Sequence, residues 1–222
     1  MTDQIQRVLY GYFRSSAAFR VRIALGLKGL DCDLKSVNLI PAVADHKKAD
    51  YLKLNPQGRV PFYTEGDNFS LSQSPAILEY LEDMYPDVAL LPEDARERAV
   101  VRQYCQLIAC DIHPLNNLSV LMYLKNSLGA DEDAVQSWYA HWIAEGFQAL
   151  EAMISREGPD QLYVHGGRVT LADVYLVPQV WNANRFKVDL SAFPAIASIY
   201  NHLITLRAFE QALPENQPDC PA

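Results

Sequence analysis

The sequence predicts an α+β protein: a βαβαββα N-terminal half followed by an all-helical C-terminal half. Three observations carry this. Strand-like and helix-like segments alternate through residues 1–87. Leu90-Leu91-Pro92-Glu93 reads as a linker. Beyond it, from residue 93 to 222, the long segments carry apolar residues at helical spacing.

The elements follow in order. Val8, Leu9, Tyr10 and Tyr12 make an apolar strand that runs into Arg14-Ser15-Ser16 and then directly into an apolar helical stretch ending near Leu27. Residues 32–39 form a short, partly alternating segment ending in apolar Val37 and Leu39. Residues 45–54 fit a short helix closed by the Asn55-Pro56-Gln57-Gly58 turn. Val60-Pro61-Phe62-Tyr63 and Phe69-Ser70-Leu71 flank Glu65-Gly66-Asp67-Asn68, which reads as a hairpin. Ser74-Pro75 then offers a capping hydroxyl ahead of a proline at the first helical position, and that helix stops near Tyr85-Pro86. Helices are expected over 96–112, 115–127, 133–155, 170–183 and 195–212. Thr170-Leu171-Ala172-Asp173 fits a capping box. Pro114 and Pro178 should break or kink their helices, and the tail with Pro214, Pro218 and Pro221 should be loosely held.

Composition narrows the function. The 222 residues carry a formal net charge of −8 with a pI near 5.1 and no Lys/Arg-rich run, which argues against nucleic acid or an anionic membrane as partner. No basic-plus-apolar leader and no membrane-length apolar run is present, so a cytoplasmic protein is expected. The four cysteines form no C-x-x-C pair and fit reduced thiols. The five histidines show no ligand spacing, and no metal is expected.

The chemistry concentrates where the first strand meets the first helix. Arg14, Ser15 and Ser16 place a guanidinium and two hydroxyls at a helix N-terminus, where free N–H groups and the positive end of the helix dipole favour an anion. The ordinary alternative is that a serine here only caps the helix. Pro61 is the second unusual residue, because a proline inside a strand removes a ladder donor. A trans edge proline is the commoner state; a cis bond would leave the Val60 backbone able to pair with an extended peptide.

Taken together, Val60-Pro61 and Gln73-Ser74 in such a βαβαββα half ahead of an all-α half resemble a cytosolic glutathione transferase. Arg14-Ser15-Ser16 followed by Arg20-Val21-Arg22-Ile23-Ala24-Leu25 narrows the resemblance to the zeta class. So do Gln73-Ser74-Pro75-Ala76-Ile77, Asp111-Ile112-His113-Pro114-Leu115-Asn116-Asn117, and Val177-Pro178-Gln179 running to Asn184-Arg185-Phe186-Lys187-Val188-Asp189-Leu190. The resemblance implies a thioredoxin-like, glutathione-binding domain over 1–87, an all-helical substrate-binding domain over 93–222, and a homodimer.

It also implies roles. Ser15 would donate a hydrogen bond to the glutathione sulfur, supported by Ser16 and the adjacent amides. Val60 would pair with the cysteinyl backbone before a cis Pro61, while Gln73 and Ser74 would hold the γ-glutamyl end. His46 would meet the glycyl end, and Asp111, His113 and Asn117 would line the site from the helical half. Ala17 stands in the same motif where many animal members have Cys, so a thiol contribution there is absent. The implied reaction is glutathione-dependent cis–trans isomerisation of maleylacetoacetate: addition of a thiolate to the cis double bond, rotation, and elimination. A dicarboxylate needs cationic anchors, for which Arg14 and Arg185 are the candidates. Maleylpyruvate isomerisation, or transferase activity on small α-haloacids, would use the same arginines; a non-catalytic interaction protein on the same fold is the alternative of a different class. Other readings stay open residue by residue: Arg185 pairing with Asp189, His113 packing at a kink, His46 solvated in a loop.

Overall fold

The computed structural model describes residues 5–158 and 160–221. In β1 (Arg7–Gly11), Val8 and Leu9 are buried, and the strand lies inside a four-stranded sheet of order β2-β1-β3-β4. β2 (Asp33–Ser36) pairs with β1 in parallel, which demands a crossover; α1 (Ser16–Leu27) supplies it. β3 (Phe62–Glu65) and β4 (Phe69–Ser72) form the expected antiparallel hairpin, turning at Gly66 with φ +59. The register decides where chemistry can sit. Gly11 pairs with Ser36, Tyr10 with Phe62, and Phe62 with Ser72. The chain therefore leaves β1, leaves β2, enters β3 and leaves β4 at one end of the sheet.

α1 is buried almost all round, Ala18 through Leu25 included, and packs against α3 (Ser74–Met84). Such burial explains why its sequence carries no polar stripe. The segment 45–54 is split rather than one helix. A 3-10 turn, Asp45–Lys47, precedes α2 (Ala49–Leu54), with extended Lys48 between them. The Asp45 carboxylate draws this corner together by accepting from the Asn38 N–H and from Lys48 Nζ. Ser74 is not the cap of α3: Gln73 holds that position, and Ser74 is the first helical residue. The buried Arg20 guanidinium donates to its hydroxyl at 3.4 Å.

Chain contacts divide the molecule into two units, 1–89 with 206–222, and 90–205. In the second unit, α4 (Ala95–Gln106) is capped by Asp94, which accepts from the Arg96 and Glu97 N–H groups. The helix expected to reach residue 112 ends early, and Leu107–Ile112 forms a π-helical turn. Pro114 is the reason: it has no N–H to give the Cys110 carbonyl, and its ring crowds that group in a regular α-helix. The short α5 (His113–Asn116), α6 (Leu118–Leu128) and α7 (Glu132–Arg156) follow.

α8 (Leu171–Arg185) begins with the expected capping box. Asp173 accepts from the Thr170 N–H at 2.7 Å and from the Val164 N–H at 2.8 Å. α8 runs through Pro178 without a break, which leaves a kink as the form the expected disruption can take there. The helix expected over 195–212 is two: α9 (Pro194–Leu203) and α10 (Arg207–Ala212), the latter packed on α1 in the first unit. Nor is the tail loose. Pro214 and Gln217 are buried, and Gln217 Nε2 donates to the Gln211 and Leu213 carbonyls at 2.9 and 2.8 Å.

Candidate active site

Ser15 sits where β1 hands over to α1. Its N–H donates to the Tyr12 carbonyl at 2.9 Å, closing the turn, and its extended backbone makes it the N-cap. The hydroxyl accepts from the Ala18 N–H at 3.2 Å. The ordinary capping reading therefore holds, and it is compatible with the chemical one: an oxygen that accepts from the helix keeps its own proton to donate. No carboxylate sits in the first turn of α1 to compete for that end of the helix dipole. Ser16 is buried, Ala17 half-buried beside it. Arg14 is half-buried, donates to the Tyr12 hydroxyl at 2.8 Å and lies 5.0 Å from the Phe13 ring centre. The guanidinium is thereby held in place ahead of the helix.

Beneath this turn lies an apolar cluster of Tyr12, Phe13, Val37, Tyr51, Val60 and Phe62. It joins the exit of β1 to the entrance of β3. The Val60–Pro61 bond there is cis, both residues are buried, and β3 starts only at Phe62. Tyr51 Oη and Asn55 Nδ2 both donate to the Arg59 carbonyl, at 2.7 and 2.8 Å, and so fix the approach to Val60. Gly58 in the same approach has φ +60, and a Cβ there would stand 2.9 Å from the His46 carbonyl. His46 is half-buried; burial, with Lys47 beside it, holds its imidazole below the ordinary value, so it is neutral at pH 7.

At the exit of β4, Gln73 adopts φ 72 and ψ 112, a strained backbone for a residue with a side chain. Its Nε2 donates to Gln57 Oε1 at 2.7 Å, tying it to the segment before Val60. Ser74 next to it is buried and opens the N-terminus of α3. Four sequence-selected features thus gather at one end of one sheet: the Arg14-Ser15-Ser16 turn, the loop of His46, the cis Val60–Pro61 bond, and Gln73-Ser74. Arg20 was not singled out as a site residue, although it holds the Ser74 hydroxyl. Two arginines, Arg20 and Arg22, in an otherwise apolar helix are the available signal.

The remaining candidates lie in the second unit. Asp111 is exposed on the π-helical turn, and His113, half-buried, starts α5. Asn117 is the N-cap of α6: its Oδ1 accepts from the Ser119 and Val120 N–H groups at 3.0 and 3.2 Å, and its Nδ2 donates to the Pro114 carbonyl at 2.8 Å. Arg185 is exposed at the end of α8, 4.8 Å from the Phe186 ring centre, and Phe186 stacks on Tyr139. The Asp189 carboxylate accepts from the Ser191 N–H and hydroxyl at 2.9 and 3.0 Å.

Comparison with known proteins follows from this geometry. Residues 9–89 match the glutathione S-transferase N-terminal domain and residues 136–203 the glutathione S-transferase C-terminal domain. The maleylacetoacetate isomerase of Pseudomonas aeruginosa is 49% identical over 214 residues, spanning 96% of this chain and 99% of that one. The holo structure of a maleylpyruvate isomerase, a bacterial zeta-class glutathione S-transferase, matches with a TM-score of 0.92 and 43% identity over 96% of this chain and 100% of the other. A maleylacetoacetate isomerase from Methylobacterium extorquens AM1, solved with malonate and glutathione, gives a TM-score of 0.92 and 37% identity over 97% and 100% of the two chains.

Proposed function

The chain belongs to the glutathione S-transferase family, and on that footing we propose that it is a glutathione-dependent isomerase converting maleylacetoacetate to fumarylacetoacetate. The observation that carries this reading is the gathering of Ser15, the cis Val60–Pro61 bond and Gln73-Ser74 at one end of the sheet. The donor set suits the tripeptide: a hydroxyl at a helix N-terminus for sulfur, an extended backbone at Val60 for an extended peptide, and a second helix N-terminus at Ser74 for a carboxylate.

Bound glutathione supplies a sulfur nucleophile that adds to the cis double bond and leaves again after rotation about it. Ser15 donates its hydroxyl proton toward that sulfur and holds it ionised. Lowering a cysteine-like pKa from about 8.5 by two units takes roughly 2.7 kcal/mol of preference for the thiolate. A hydrogen bond to a charged group contributes about 1.5–3 kcal/mol and a helix terminus about 0.3–1 kcal/mol, so the two together reach it. Ser16 and the first amides of α1 support the same charge, with Ala17 in the same turn. Val60 pairs with the cysteinyl backbone, Gln73 and Ser74 hold the γ-glutamyl end, and His46 meets the glycyl end. Arg14 is the candidate in the first unit for a substrate carboxylate; in the second unit Arg185 is the corresponding candidate, and Asp111, His113 and Asn117 are further binding candidates. The Methylobacterium protein was solved with malonate, itself a dicarboxylate, which supports an anionic substrate.

A homodimer in the cytoplasm is part of the proposal; family membership supports the dimer, and the four free cysteines among the described residues fit a reducing compartment. The test is an assay of fumarylacetoacetate formation with and without glutathione. Strict dependence on glutathione is expected; activity without it would overturn the reading. Maleylpyruvate is the second substrate to try, because the zeta-class structure above carries that name. A marked preference for maleylpyruvate would replace the first substrate with the second.

A further inference from the structure

The C-terminal tail reaches the turn that presents Ser15. Asp219 Oδ2 accepts from the Phe13 N–H at 3.1 Å and from the Ser36 hydroxyl at 2.9 Å. The other face of the same residue is held as well. Arg22 donates to the Phe13 carbonyl at 3.1 Å and, from the same nitrogen, to the Ala212 carbonyl at 3.0 Å. Both backbone polar groups of Phe13, two residues ahead of Ser15, are therefore bound to charged side chains, one on the tail and one anchored to the end of α10. Cys220 packs on the apolar cluster that contains Phe13 itself.

Apolar packing covers only part of this turn's surroundings. A cavity of about 210 Å³ lies beside it, lined by Tyr12, Phe13, Arg22, Ser36 and Asp219 among others. A turn with free volume next to it can move once its hydrogen bonds are removed. Burial of the Arg22 guanidinium outweighs the opposing pull of the Asp219 carboxylate, and its pKa is lowered to about 10.

We infer that Asp219 is a positioning residue for the isomerase reaction, strapping the Tyr12–Ser15 turn so that the Ser15 hydroxyl and the Arg14 guanidinium face the bound thiol and its substrate. This rests on the functional reading above. Asp219 touches neither sulfur nor substrate in this account; it acts through the Phe13 peptide.

The experiment compares the wild type with Asp219→Ala, Asp219→Asn and a chain ending after Pro218. The readings are the pKa of glutathione's thiol in the binary complex, the kcat and KM for isomerisation, and the exchange rate of the Phe13 amide. Asp219→Ala and the shortened chain are expected to speed Phe13 amide exchange, raise the bound thiol pKa by about half a unit to one unit, and lower kcat roughly tenfold with KM for glutathione changed less. Asp219→Asn keeps an acceptor for the Phe13 N–H and is expected to recover most of the loss. A simple charge effect has the opposite sign, because removing a nearby carboxylate favours a thiolate; a lower thiol pKa in both Ala and Asn variants would overturn the inference. So would a folded Asp219→Ala protein with unchanged thiol pKa and kcat, or a loss of kcat that only tracks the unfolded fraction. A wild type that does not lower the thiol pKa at all would overturn the functional reading and this inference with it.

Discussion

Ser15 caps α1 and, in the proposed mechanism, also serves the sulfur with the same oxygen; substitutions can part the two duties. Ser15→Ala removes both the cap to Ala18 N–H and the donor to sulfur. It is expected to lower kcat about 10–100-fold, the equivalent of a hydrogen bond to a charged group, and stability by about 1 kcal/mol. Ser15→Asp caps as well as serine but offers no proton and sets a negative charge beside the sulfur. Its melting temperature should match the wild type while isomerase activity falls below that of Ser15→Ala. Ser15→Thr keeps both functions and should keep most activity. Thermal melts and steady-state kinetics on the three proteins read this out, and an active Ser15→Asp would contradict the assigned role. The sequence marked Ser15 because a hydroxyl between an apolar strand and an apolar helix has few explanations. It could not mark Asp219, whose partner is a backbone N–H more than two hundred residues away in the chain.

Among the elements, the π-helical turn Leu107–Ile112 sets the placement of Asp111 and His113, and Gly146 of α7 makes room for it. A Cβ at Gly146 would stand 2.2 Å from Ile112 Cγ1. Gly146→Ala is therefore expected to destabilise by about 1–3 kcal/mol, and Ile112→Ala in the same chain to recover part of that loss. A chemical-denaturation double-mutant cycle measures the coupling, and additive effects would refute the close contact.

α4 and the end of α7 are joined by His165, whose Nε2 lies 2.5 Å from Glu97 and whose Nδ1 lies 3.1 Å from Glu157. Burial alone would lower the imidazole's pKa, but the two carboxylates outweigh it and the pKa is raised. The charged bridge thus stabilises fully below the unfolded value of 6.5 and fades as pH rises through the higher folded value. The melting-temperature gap between wild type and His165→Gln should shrink as pH rises through that window; a gap that does not vary with pH would count against the bridge. The capping box of Thr170 with Asp173 is legible in the sequence because the pattern is local. At Pro114 the sequence marks a disruption but not its π-helical form, and it does not mark the break before α10, which is settled by what the helix packs against.

For the chain taken together, the order of strands and helices and the grouping of the N-terminal site residues were readable, because a parallel β1–β2 pair and a β3–β4 hairpin leave few topologies. The tail is not loose as its prolines suggest: Gln217 folds it back on the end of α10, and Asp219 and Cys220 hold it to the β1–α1 turn and the apolar cluster. Because the protein is acidic overall, the anion site proposed for it has to be made locally, from a helix end, a hydroxyl and an arginine, rather than from net charge. Spectroscopic titration of the thiol in the binary glutathione complex decides whether it succeeds. The thiol should ionise about two units below the ordinary cysteine value near 8.5 and return most of the way in Ser15→Ala; a bound thiol as weakly acidic as the free one, or one indifferent to Ser15, would contradict the account.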